Sequence, residues 1–331
     1  MIRATTPPRR LRRAVLVALS ALAVPLLVAG CTNSPFLVGA FYDRLDDKAV
    51  DAADEWVGFT AAQADEFDAY AGTFHTWHRR AELPRYAALM RDMTRGLSTW
   101  DQATPEDFTR WFDAVRSRAE ALRVCHPARF ATPLVRTLSE QQIDRMERTW
   151  REKRAENIER AGERTRAERI ERRVENIDRW AGRLGVDLDP DQLTLLEDAF
   201  GRQISLHDEY RALSDDWNEK LFALARDADA PDHDARMEAH IDDWFGMVEK
   251  AYPERWATNR QLWRDTAVAF EKTLSRQQRR DALRWVNKMA DTLDTLALDT
   301  PDWLPADDPR YGCTPGAGEA GAASATERDD A

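Results

Sequence analysis

The sequence predicts an all-α protein, a multi-helix bundle with a long central charged helix and an internal duplication. Three observations carry this. Glycine is scarce, with 14 in 331 residues and four of those beyond residue 311. Apolar residues recur in steps of three and four, and no segment alternates β-branched residues as a half-buried strand would. Four places repeat an apolar residue, then Ser, Thr or Asp, then two residues and Gln: Phe59-Thr60-Ala61-Ala62-Gln63, Leu138-Ser139-Glu140-Gln141-Gln142, Leu188-Asp189-Pro190-Asp191-Gln192 and Leu274-Ser275-Arg276-Gln277-Gln278. Each reads as a helix start. The short polar side chain caps orphan amides, the glutamine reaches back from the third helical position, and Pro190 sits where its missing N–H costs nothing.

Residues 1–30 carry Arg3, Arg9, Arg10, Arg12 and Arg13, no acid, and then an apolar run from Ala14 to Ala29. This is the layout of a cleaved export signal, too short and wrongly flanked for a spanning helix. It closes on Val28-Ala29-Gly30-Cys31. Small residues before a cysteine suit lipoprotein signal peptidase, so Cys31 is expected to become a diacylglyceryl-modified N-terminus. Several acyl chains on one cysteine suffice for stable anchoring. Thr32 follows, where retention in the inner membrane typically uses Asp, so the expected location is the periplasmic face of the outer membrane. Losing residues 1–30 removes five arginines and no acid, which takes the net charge from −11 to −16. Such a chain does not steer toward nucleic acid, and its membrane attachment must come from lipid rather than from a basic surface.

From residue 31 to about 300 the pattern predicts one helical domain of seven or eight helices. They are expected at about 61–82, 83–99 after a bend at Pro84, 105–123 opening on Thr104-Pro105, 233–251, 254–272 and 276–297. After Asp189 the stripe Leu193, Leu196, Phe200, Ile204, His207, Tyr210, Leu213, Trp217, Leu221, Leu224 describes one buried face. Between these lies the central helix, 139–184, rich in both charges. Continuous, it would be about 69 Å long at 1.5 Å per residue. The bland reading of this helix is a solvated surface of Glu–Arg pairs; the sharper one is an arm with a narrow seam for a partner. Placing Phe59 on Leu188 brings His78 onto His207 and, four residues later, Trp111-Phe112 onto Trp244-Phe245. The chain therefore reads as two related halves, 59–138 and 188–274, joined by the long helix.

Residues 301–331 turn to proline, glycine, alanine and acid, the composition of a largely disordered tail. With Cys31 lipidated, Cys125 and Cys313 remain. In an oxidising compartment a Cys125–Cys313 disulfide would tie the tail to the body, and two free thiols are the alternative.

The most distinctive segment is His75-Thr76-Trp77-His78-Arg79-Arg80-Ala81-Glu82-Leu83-Pro84-Arg85-Tyr86. Together with Phe41-Tyr42-Asp43-Arg44-Leu45 and the lipobox, it resembles a family of proteobacterial lipoproteins known only as a domain of unknown function. That resemblance rests on Trp77, His78, Arg79, Glu82, Leu83, Pro84, Arg85 and Tyr86, and it implies no catalytic residue. The four capped starts also resemble the Leu-Thr-x-x-Gln signature of small periplasmic helical chaperones, which implies envelope stress or client holding. His75, His78, Glu82, His207 and His240 are the candidates for a metal site, since three imidazoles and a carboxylate suit zinc. Against that, His-Glu-x-x-His is absent, and histidines half-buried beside Trp and Tyr are commonplace. There is no Gly-x-Ser-x-Gly elbow, phosphate-binding loop or dinucleotide fingerprint. Arg79, Arg80 or Arg85 is expected to pair with acids near the Pro84 bend. The reading favoured is a non-enzymatic envelope scaffold or protein-binding lipoprotein without a cofactor, acting on an envelope partner or client. The alternative is a metal-binding or hydrolytic envelope protein using His78, Glu82 and His207.

Overall fold

The computed structural model describes residues 39, 41–98, 104–124, 132–162 and 164–299. The export signal, Cys31, Cys125, Cys313 and the tail 301–331 lie outside the described residues. Among those described there is no strand, and no helix is long and apolar enough to cross a membrane.

The helices are α1 (Leu45–Val57), α2 (Ala61–Trp77), α3 (Leu83–Ser98), α4 (Pro105–Val124), α5 (Glu140–Gly162), α6 (Arg166–Arg183), α7 (Pro190–Arg202), α8 (His207–Arg226), α9 (His233–Trp244), α10 (Pro253–Thr273) and α11 (Arg276–Leu298). Single turns stand at Thr132–Val135 and Met247–Ala251, and a π-turn, His78–Glu82, joins α2 to α3. The helices outnumber the seven or eight expected because α1 is not among the segments the pattern predicts and three predicted segments are interrupted. The central segment breaks between α5 and α6, where Thr165 caps α6 and its N–H bonds Glu168 in a box of its own. The stripe after Asp189 breaks at 203–206. There the N–H and C=O of Ile204 both bond the side chain of buried Asn259, at 2.9 Å each, so the turn is satisfied without helix. The segment 233–251 breaks at Gly246, whose φ of 77° only glycine adopts cheaply.

All four capping boxes form as their spacing dictates. They also meet in pairs. Gln63 and Gln142 exchange amide hydrogen bonds (2.7 and 3.4 Å), and each donates its second N–H to the carbonyl two residues before the other's cap, Thr137 O and Gly58 O. Gln192 and Gln278 do the same, donating to Thr273 O and Asp187 O. Each glutamine oxygen also accepts its own cap's N–H, so every donor and acceptor of the four amides is used. Gln192 is 0 % exposed. Gln192→Ala is expected to lower the unfolding free energy by about 2 kcal/mol, because it strands the Gln278 amide and the Thr273 carbonyl at the paired caps. Urea titration checks this. The Gln192→Ala/Gln278→Ala double variant should cost clearly less than the two single losses added together.

Two apolar cores follow. In one, Leu83, Tyr86 and Ala87 of α3 pack on Met289, Ala290, Leu293 and Leu296 of α11, with Tyr42 completing the cluster. In the other, Ile143 of α5, Phe222 and Ala225 of α8, and Met237 and Ile241 of α9 are covered by Val135, Leu138, Met146 and Trp150. α6 buries no residue fully and lies along α7, with Arg173 over the Phe200 ring.

Candidate functional site

The signature segment occupies the end of α2, the π-turn and the start of α3. The π-turn has a local cause. Pro84 has no N–H to offer the carbonyl of Arg80, and its ring would crowd that carbonyl in a regular α-turn. Widening the preceding turn, so that Leu83 N–H bonds His78 O, lets the helix run on through the proline. The wide turn brings His78, Arg79 and Glu82 inward, each no more than 1 % exposed.

Each of these side chains has a specific partner, and three of the partners come from one short segment, residues 42–46. The Tyr42 hydroxyl lies 2.8 Å from His78 Nδ1. Arg79 Nη1 donates to Asp43 Oδ1 at 2.6 Å. Its Nε and Nη2 donate to Leu296 O (2.7 Å) and Asp299 O (3.0 Å), tying the π-turn to the end of α11. His75 Nδ1 lies 3.3 Å from Asp46 Oδ2, and its ring meets that of Tyr42 edge-on at 4.7 Å. Glu82 accepts from Arg85 at 2.7 Å and faces Arg118 of α4 at 3.8 Å. The arginine–acid pairing expected near Pro84 is thus found for Arg79 and Arg85, whereas Arg80 is exposed.

The electrostatics are those of a closed interior. Burial, reinforced by the neighbouring His75, lowers the pKa of His78 from 6.5 to about 3, so its imidazole is neutral. Burial raises the pKa of Tyr42 well above the usual range, against the opposing pull of Arg79, so Tyr42 keeps its proton. Burial would raise Asp46, but the hydrogen bond and charge of His75 bring it below its ordinary value. Tyr86 is raised by burial and then by the Glu82 carboxylate. His78 Nε2, Glu82 Oε2 and the Tyr86 hydroxyl have no hydrogen-bond partner among the described residues.

The candidate metal ligands are not brought together. His207 is exposed at the first turn of α8, unlike buried His78, so the two histidines matched by the repeat have different surroundings. His240 stacks on Trp217 at 4.7 Å and donates from Nε2 to Trp217 O, which commits that nitrogen. Among the described residues no group of three or more His, Cys, Asp or Glu converges as a metal site requires.

A family model described as a family of unknown function, DUF6279, matches residues 55–235, more than half of the chain. The chain belongs to the DUF6279 family. No curated protein and no solved structure matches it. The DUF6279 match takes in His75 to Tyr86 and three of the four capped helix starts, while Tyr42, Asp43 and Asp46 lie ahead of it. Tyr42 and Asp43 belong to the second segment of the resemblance, but their contacts with the signature, and the part of Asp46, are not legible in the sequence. The Phe41-Tyr42-Asp43-Arg44-Leu45 segment was the signal for them, but nothing local says which residues, some 29 to 36 positions on, it touches.

Proposed function

We propose that this DUF6279 protein is a lipoprotein tethered through Cys31 to the periplasmic face of the outer membrane. Its role is non-enzymatic: a scaffold or chaperone-like body that binds an envelope protein partner or client. The observation that carries the non-enzymatic part is the closure of the signature. Tyr42, His75, His78, Arg79 and Glu82 are all buried and turn toward one another, toward Asp43, Asp46 and Arg85, or toward backbone carbonyls, so they hold the chain together instead of facing a substrate. A catalytic acid–base pair needs access to the proton it moves.

The tether reading is supported by the lipobox and by the acidity of the mature chain, which offers no basic surface for attachment. Cys31→Ala is expected to abolish palmitate incorporation, and exchanging residues 1–31 for an export signal without a lipidated cysteine is expected to shift the protein from the membrane to the soluble periplasmic fraction. Fractionation after metabolic labelling checks this, and an exchanged chain that stays with the membrane removes the proposal. For client holding, the wild-type protein is expected to suppress aggregation of an unfolded substrate below equimolar ratio. No effect at equimolar protein removes that role.

A further inference from the structure

We propose that His78, Glu82 and Tyr86 enclose an internal hydration site. One ordered water there accepts from His78 Nε2–H and from the Tyr86 hydroxyl, and donates to Glu82 Oε2. The inference is independent of the lipid tether and starts from three polar atoms. His78 Nε2, Glu82 Oε2 and the Tyr86 hydroxyl oxygen are sealed from solvent, on residues 1 %, 0 % and 6 % exposed. None of them has a hydrogen-bond partner among the described residues, so none bonds another directly. Buried polar groups in native proteins are nearly always bonded, and three left dry would cost a large share of a domain's whole stability.

The three residues share one side of the π-turn and α3, since they stand four apart and that step is close to one turn in either geometry. The His78 and Tyr86 rings approach to 5.6 Å between centres. Tyr86 is raised by burial first and then by the Glu82 carboxylate, which places that carboxylate near the hydroxyl. Glu82 and Tyr86 also feel the same cation, Arg118 of α4.

The protons can be assigned from the partners. Tyr42 is fully buried, and among the described residues its hydroxyl has His78 Nδ1 as its one hydrogen-bond partner, at 2.8 Å. The phenol proton therefore goes to Nδ1; the reverse arrangement would leave a buried O–H without an acceptor. With the imidazole neutral, its own proton sits on Nε2. Nε2–H and the Tyr86 O–H are then donors. Glu82 Oε2 is an acceptor, its sister oxygen being held by Arg85. Two donors and one acceptor match the two lone pairs and one proton of a single water, and three bonds are usual for an internal water. The site gives the His, Glu and Tyr of the signature a joint use that three apolar residues could not serve.

Ring-nitrogen and hydration NMR on the isotope-labelled full-length protein at neutral pH tests this. His78 is expected as the Nε2–H tautomer, with an Nε2–H signal that persists and shows a cross-peak at the water frequency. An exchanging Tyr86 hydroxyl could relay such a peak, so the measurement is repeated on Tyr86→Phe. The peak is expected to survive there, because His78 and Glu82 still hold the water. An Nδ1–H tautomer, or an Nε2–H without a water cross-peak, overturns the site in the wild-type protein with no substitution needed. A cross-peak lost from a Tyr86→Phe chain whose amide spectrum is otherwise that of the wild type came from the hydroxyl, and overturns it as well.

Discussion

Arg79→Ala is expected to lower the unfolding free energy by about 3 kcal/mol, with Arg80→Ala, one residue on, changing it by less than about 0.5 kcal/mol. Arg79 is 1 % exposed and spends three donors on Asp43, Leu296 O and Asp299 O. Truncation removes charge-assisted hydrogen bonds, leaves carbonyls at the end of α11 without a donor, and opens a space beside the Tyr42 ring, over which the guanidinium lies at 5.3 Å. Part of the loss is spared because Asp43 is partly exposed and can turn to water. Equilibrium denaturation measures the difference. Equal effects of the two substitutions would mean that the buried arginine does not hold the N-terminal segment and α11 together.

The second large effect is on acid stability, through His78. Its pKa is 6.5 in an unfolded chain and about 3 in the folded one. Between those values the unfolded chain binds the extra proton and the folded chain refuses it, so stability falls as pH falls from about 6.5 toward 3. The slope approaches 1.36 kcal/mol per pH unit, giving a loss of about 2 kcal/mol by pH 5 and about 4 kcal/mol by pH 3. Asp46 adds a separate loss: its folded pKa lies below 3.8, so its contribution is present above that value and disappears only as pH drops through its folded pKa. The windows can therefore be separated. His78→Gln is expected to flatten the stability curve between pH 6.5 and 5 while leaving the steeper acid limb. Urea midpoints at half-unit pH intervals provide the reading, and an unchanged slope in the variant would assign it to other groups.

What the sequence disclosed follows the range of the interaction. The four capping boxes are legible because cap and glutamine sit three residues apart, and all four form. Their pairing across 79 and 86 residues is not, since each box is complete without the other. The break in the central segment had a local sign, Thr165 followed three residues later by Glu168, but a run of charges with no apolar change on either side hid it. The break at 203–206 had none. Ile204 and His207 fall in helical step with the residues around them, and only the distant Asn259 makes the turn affordable. At the site, His78 and Glu82 were recognisable as unusual. Their burial depends on a wide turn that Pro84 induces and on a tyrosine 36 residues earlier.

The π-turn also sets a phase. It holds one residue more per turn than the helices on either side, and everything in α3 inherits that offset. Were the same residues to wind as a regular α-turn, α3 would rotate by roughly 90° relative to α2. Leu83, Tyr86 and Ala87 would then swing away from Met289 and Leu293, and polar flanks would meet the α11 seam instead. Losing one residue here, Arg80 or Ala81, would remove the extra residue and the wide turn together and leave α3 nearly in phase with the α11 seam.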